Sequence, residues 1–247
     1  MKKNMLDGFK EAYRRKFKFY DEDILMSIWC GQRMVDTIRK KGFGSVISLG
    51  VGHKIVSRSI LKNLSDILTK FVIIEGSSKM ISDFRRTINL PPNVRLVKSL
   101  FEEFGTEERF DAIEMGFVLE HVDDPLSILK RYSTFLKARG SILISVPNAR
   151  SLHRLIGYEA GLLDDPYRLS SFDLRLGHKR YFDLKSLETL VRRSGLKIVK
   201  REGIYLKPFS TFQLKSLHLL PEVTQALFSI GIRYPEIGNA IYLEATH

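Results

Sequence analysis

Cysteine is nearly missing from this chain. Cys30 is the single one in 247 residues, so neither an internal disulfide framework nor a thiolate metal site can form within a monomer. That scarcity suits a reducing compartment, and a core of this size needs no cross-links. Long apolar runs are missing too, since none approaches the ~20 residues that a membrane span needs. The first residues, MKKNMLDGFKEAYRRKFKFY, carry lysines but no apolar stretch of the kind a secretory signal has. The expectation is a cytoplasmic protein without a membrane span. No internal repeat or low-complexity tract is visible.

What is present is globular: 44% hydrophobic and 28% charged residues, with 40 Lys and Arg against 28 Asp and Glu for a net charge of +12. The length suits one sizeable α/β domain. Part of the basic excess is local. Lys2, Lys3, Lys10, Arg14, Arg15, Lys16 and Lys18 face only Asp7 and Glu11 in sequence. Such a field attracts phosphorylated substrates, nucleic acid or an anionic surface, and a plain solvated helix face explains it equally well.

Apolar spacing predicts helices over residues 5–18 and 22–41, then an alternation of short buried strands and helices. Strands are expected at 45–49, 71–74, 94–97, 112–115 and 141–146, and helices at 55–68, from 77 to about 88, and at 125–136. After Pro147 the rhythm breaks. A helix at 184–193, a strand from 196 and a last strand at 240–243 follow, with an insertion at 207–237. Strands alternating with helices imply right-handed crossovers and a parallel sheet covered on both faces. One domain over 1–247 is expected: an N-terminal helical cap (1–41), a cofactor-binding core (42–147), an acceptor-covering segment (148–180) and the rest of the sheet (181–247).

Ligands of such sheets bind beyond the strands' carboxyl ends. There the first strand ends in Leu49-Gly50-Val51-Gly52-His53-Lys54, whose glycines permit a tight turn and close backbone approach to a ligand. The second ends in Glu75, at the spacing from Gly50 where an acidic residue accepts hydrogen bonds from ribose hydroxyls.

Four blocks then fall in order: ISLGVG at 47–52, IEGS at 74–77, RFDAI at 109–113 and FVLEHVDDP at 117–125. Together they resemble class I S-adenosylmethionine-dependent methyltransferases, nearest to small-molecule O-methyltransferases of the ubiquinone-biosynthesis type. LGHKRYF at 176–182 extends the likeness to about residue 200. The resemblance implies a Rossmann-like, seven-stranded, mostly parallel sheet with helices on both faces and an antiparallel last strand. It implies S-adenosyl-L-methionine as cofactor, with S-adenosyl-L-homocysteine as its product. Gly50, Val51 and Gly52 would meet the cofactor's amino-acid part, Glu75 and Gly76 the ribose, Ser99 and Leu100 the adenine, and Met115 and Gly116 the methionine moiety. Three departures stand out. Ser48 occupies a place that is usually acidic, Lys54 that of a third glycine, and Ser99 that of an aspartate.

Methyl transfer to a hydroxyl needs a proton acceptor beside an aligned nucleophile, with water excluded. His121 is the first candidate and Glu120 its neighbour, with His178 and Tyr181 behind them. A structural role for Glu120 and His121 in closing their loop is the competing reading. Arg154, Tyr158, His178 and Arg180 are the expected acceptor contacts, because the covering segment is rich in arginine and aromatic side chains. Some relatives bind a divalent metal through a glutamate three residues before the Glu-His pair. Phe117 stands there, so no metal is expected.

The acceptor expected is therefore a small, anionic metabolite or glycan precursor, methylated at oxygen. An RNA acceptor is the alternative the charge keeps open, although no Asn/Asp-Pro-Pro-aromatic motif follows the fourth strand and Cys30 lies in the N-terminal helix. A cofactor-binding module that has lost catalysis and serves a partner is the other. A nicotinamide dehydrogenase fits less well, for want of the third glycine.

Overall fold

The computed structural model of the protein describes Leu6 and residues 20–247. The helix expected over residues 5–18, with most of the basic cluster, lies outside the described residues apart from Leu6.

Helix α1 spans Tyr20–Lys41, with Asp21, Glu22 and Asp23 in its first turn and Arg39, Lys40 and Lys41 in its last. Both ends thus complement the helix dipole. The alternation then runs β1 (Ser45–Leu49), α2 (Ile55–Asn63), β2 (Lys70–Glu75), α3 (Ser78–Thr87), β3 (Val94–Lys98), β4 (Phe110–Gly116), α4 (Pro125–Ser133) and β5 (Leu136–Pro147). Helices α5 (Leu152–Glu159), α6 (Ser171–Leu176) and α7 (Leu184–Arg193) lead to β6 (Lys197–Ile204). Helices α8 (Thr211–Ser216) and α9 (Pro221–Arg233) precede β7 (Ala240–Thr246).

The seven strands form one sheet in the order β3-β2-β1-β4-β5-β7-β6. β1 pairs in parallel with β2 and β4, β3 with β2 and β5 with β4, whereas β7 runs antiparallel to both β5 and β6. The expected architecture is the one observed. Period-2 alternation sends Ile47, Leu49, Ile113 and Ile144 to the face covered by α4 and α7, and Val46, Ile73, Ala112 and Tyr242 to the face under α1, α2 and α3.

Two helices end earlier than their apolar spacing suggests. α2 stops at Asn63 rather than Leu68, where Asn63 turns its amide onto the Ser59 carbonyl at 2.9 Å. α4 stops at Ser133 because β5 begins at Leu136, five residues before the strand expected from sequence. The arrhythmic stretches 148–180 and 207–237 carry short helices, two of them six residues long, too brief for a period to show.

The accessory segments are fastened to the sheet by buried polar contacts. Lys207, 5% exposed, reaches both Glu22 oxygens at 2.8 and 2.9 Å, and Asn239 donates to the same carboxylate at 2.8 Å. α1 is thereby locked over the strand ends, next to the carboxyl edge of β1 and β4.

Candidate functional site

Strand order reverses at β1, whose neighbours β2 and β4 leave in opposite directions, and such a switch point opens the crevice in which open α/β sheets bind ligands. The turn after β1 is shaped for it. Gly50 and Gly52 have φ of +90° and +43°; a Cβ on Gly50 would find its nearest atom 3.8 Å away, and one on Gly52 nothing within 4 Å. The backbone here borders open space. Lys54, in the third-glycine position, takes the left-handed conformation itself (φ 66°). Its ammonium is tied to Asp83 at 2.5 Å and to Thr87 at 3.1 Å, which offsets the strain of a side chain there.

Glu75 closes β2 with its carboxylate held in the crevice: Oε2 accepts from Val51 N at 3.2 Å and Oε1 from Ser77 N at 2.8 Å. Gly76 is packed against Leu100 and the side chain of Leu6. Ser99 follows β3, its amide bonded to the Glu75 carbonyl at 3.2 Å. Val51, Met115 and Gly116 complete the rim. All nine expected cofactor residues thus lie at the carboxyl ends of β1 to β4.

Sequence reasoning missed one group at this edge. Ser48 is the cross-strand partner of Glu114, and its hydroxyl donates to Glu114 Oε2 at 2.5 Å. Glu114 Oε1 accepts from Gly116 N at 2.6 Å, and a Cβ on Gly116 would collide with that oxygen. A carboxyl thus stands beside position 48 on the neighbouring strand. A glutamate inside the apolar run Ala112–Met115 was the available signal.

The second group of expected residues also assembles. The loop after β4 and the block at 177–180 are stitched together: Lys179 N donates to the Glu120 carbonyl at 2.8 Å, Arg180 reaches the Asp123 carbonyl at 3.1 Å, and Lys179 pairs with Asp123. The His121 and His178 rings meet edge to face with centroids 4.7 Å apart, and Tyr181 lies 6.4 Å from His178.

The two histidines differ sharply. Burial, helped by the charges of His178 and Lys179, pushes His121 down to about 3, and its ring bonds to the Gly177 backbone. His178 is also desolvated, yet the bond to Asp173 and the charges of Glu120, Asp173 and Asp23 outweigh this and raise it. His178 Nδ1 lies 3.3 Å from Asp173 Oδ1. Asp173 is itself pinned by Tyr181 OH at 3.0 Å and by Ser170 N and Oγ at 2.7 and 2.6 Å, as part of the capping box of α6. Gly177 at φ +80° ends that helix and turns His178 back onto it. Asp173 and Asp23 were not legible as site residues, since neither sits in a motif.

Glu120 is fully buried, and neither carboxylate oxygen has a hydrogen-bond partner among the described residues; burial raises it to about 7. Glu120, His121 and His178 each bring one ligating atom within 4.8 Å of the others, a spacing able to hold a divalent ion. Sequence placed only two of the three together.

The expected acceptor contacts divide. Arg154 is spent on structure, bonded to the Pro166 and Arg168 carbonyls at 2.8 and 2.7 Å and stacked on Tyr181. Arg180 keeps one buried nitrogen, NH1, without a partner among the described residues. Tyr158 is exposed at the rim.

Residues 29–201 match a family model described as a methyltransferase domain. The chain belongs to this family. A ubiquinone biosynthesis O-methyltransferase of Pseudoalteromonas translucida (strain TAC 125) is 24% identical over 169 residues, spanning 66% of this chain and 68% of that one. Among solved structures, an S-adenosylmethionine-dependent methyltransferase from Mesorhizobium loti superposes with a TM-score of 0.61 at 13% identity, covering 88% of this chain and 98% of that one. A plantazolicin methyltransferase in complex with a monoazolic desmethylPZN analog and S-adenosylhomocysteine gives 0.60 at 15% identity, with 96% and 88% covered. The protein thus carries a methyltransferase domain on a Rossmann-like fold, the fold shared with these S-adenosylmethionine-dependent enzymes. Among the described residues no helix is long and apolar enough to cross a membrane.

Proposed function

We propose that the protein methylates an oxygen of a small, anionic acceptor bound between α1, the 117–123 loop and the 148–181 segment, with His178 as proton acceptor. The observation that carries this reading is the Asp173–His178 pair, set beside the unpartnered carboxylate of Glu120. When bound, S-adenosylmethionine supplies the methyl carbon and its thioether leaving group. Gly50, Val51, Gly52, Met115 and Gly116 shape the turns that receive its amino-acid part. Glu75 and Gly76 meet the ribose, and Ser99 and Leu100 flank the adenine.

Asp173 Oδ1 faces His178 Nδ1 at 3.3 Å, and Nε2 takes the acceptor's hydroxyl proton as the oxygen–carbon bond forms and the carbon–sulfur bond breaks. Glu120 orients that hydroxyl. His121 is the weaker base, because its depressed pKa gives proton transfer little driving force, and it serves to pack His178 edge-on. The free nitrogen of Arg180 suits an anionic oxygen on the acceptor. Arg154 and Tyr181 hold the covering segment in place, and Tyr158 borders the entrance.

No step of this reading runs through a metal, since Phe117 stands where metal-binding relatives would carry a glutamate. Supplying methyl-labelled cofactor with cell extract and identifying the labelled products tests the acceptor class. A labelled oxygen on an anionic metabolite, formed undiminished in the presence of chelator, is expected. Label in RNA or peptide, or loss of product with chelator, would overturn the corresponding part.

A further inference from the structure

Glu114 is 7% exposed and lies on the face of the sheet beneath α1, at the carboxyl end of the central strand β4. Its two oxygens are bonded to Ser48 Oγ and Gly116 N, both neutral donors. The other polar groups facing this spot are Cys30 of α1 and Ser145 of β5, 3.5 Å apart. Burial pushes the Cys30 thiol up to about 12, with Glu114 contributing. Among the described residues no Lys, Arg or His forms an ion pair with Glu114. Buried carboxylates are ordinarily paired with a cation or hold a proton. Of the other buried glutamates, Glu120 has His178 beside it, Glu202 pairs with Arg33 and Glu244 pairs with Lys41. Among the described residues Glu114 has no such neighbour, and burial raises it to about 7.

We infer that Glu114 makes the site charge-selective, favouring the sulfonium cofactor over its neutral thioether product. The inference rests on the cofactor placement above. Cofactor and product differ by one methyl group and one positive charge, so a group that tells them apart acts on volume or on charge. An anion two residues before Gly116, in a water-poor environment, acts on charge, where attraction is little screened. Its consequence is an easier exchange of product for fresh cofactor after each turnover.

The test is calorimetric binding of S-adenosylmethionine and of S-adenosylhomocysteine to the wild-type protein and to Glu114→Gln. Glutamine keeps an acceptor for Gly116 N and a polar partner for Ser48, so it removes charge rather than shape. The ratio of the two affinities should fall by roughly tenfold in the variant, the change that one pKa unit of differential interaction represents. In the wild type, the preference for the sulfonium should rise from about pH 6 to about pH 8 as Glu114 ionises, a trend that needs no variant to be seen. Equal loss of both ligands in Glu114→Gln, or a ratio independent of pH in the wild type, would overturn the inference. Failure of the wild type to bind either ligand would overturn the cofactor placement and the inference together.

Discussion

His178 Nδ1 and Asp173 Oδ1 lie 3.3 Å apart, a charge contact outside hydrogen-bond geometry, and the same carboxylate is held in place by Tyr181 and Ser170. Removing the base should cost about 10²–10⁴ in turnover. His178→Ala is expected to lose that much while leaving cofactor affinity unchanged. Asp173→Asn tests the partner: the rate should climb with pH through the raised pKa of His178 in the wild type, and that limb should move to lower pH in the variant. A limb that stays in place would show that Asp173 does not tune His178.

His121 gives the complementary control. With its pKa near 3 and its ring engaged by Gly177, it is neutral at physiological pH but a weak base. His121→Ala should reduce turnover by less than His178→Ala does, measured with the same acceptor. The reverse order would hand the proton to His121.

His153 supplies a pH prediction for stability. Burial, with the charges of Lys207 and Arg154, depresses it from 6.5 to about 3 in the folded chain. Its contribution is complete above 6.5 and is lost as pH falls toward 3, because the unfolded chain takes up the proton first. The slope is about 1.4 kcal/mol per pH unit over that range. Urea denaturation of His153→Gln should show a shallower acid limb than the wild type, and an identical limb would show that His153 carries none of it.

The α8–α9 insertion rests on a glycine contact. A Cβ on Gly203 of β6 would collide with the Gly231 carbonyl of α9 and lie 3.1 Å from Pro235 Cα, all backbone. Gly203→Ala should therefore destabilise the protein by about 1–3 kcal/mol, as overpacking does. Thermal denaturation that matches the wild type would show that α9 shifts freely.

The strands were legible because each is a short apolar run closed by a turn residue, and burial on both faces leaves little else such a run can be. The glycine turn and Glu75 were legible because their spacing follows from the geometry of a βαβ unit. Asp173 and Asp23 were not, since their charges reach His178 from α6 and α1 and leave no periodic trace. The carboxyl of Glu114 beside Ser48 was hidden for a related reason. Cross-strand register, not sequence distance, makes Ser48 and Glu114 neighbours. The carbonyl bonds of Arg154 were not legible either, since an arginine in an irregular segment serves as readily to bond carbonyls as to bind an anion.

The crevice between β1, β2 and β4 is proposed to bind S-adenosylmethionine with Glu75 on the ribose. The most direct measurement is calorimetric titration of the cofactor into the wild-type protein and into Glu75→Ala. A single site is predicted in the wild type, weakened in the variant by roughly 1.5–3 kcal/mol, the value of hydrogen bonds to a charged group. Equal affinity in the two proteins, with the fold of both intact, would contradict it.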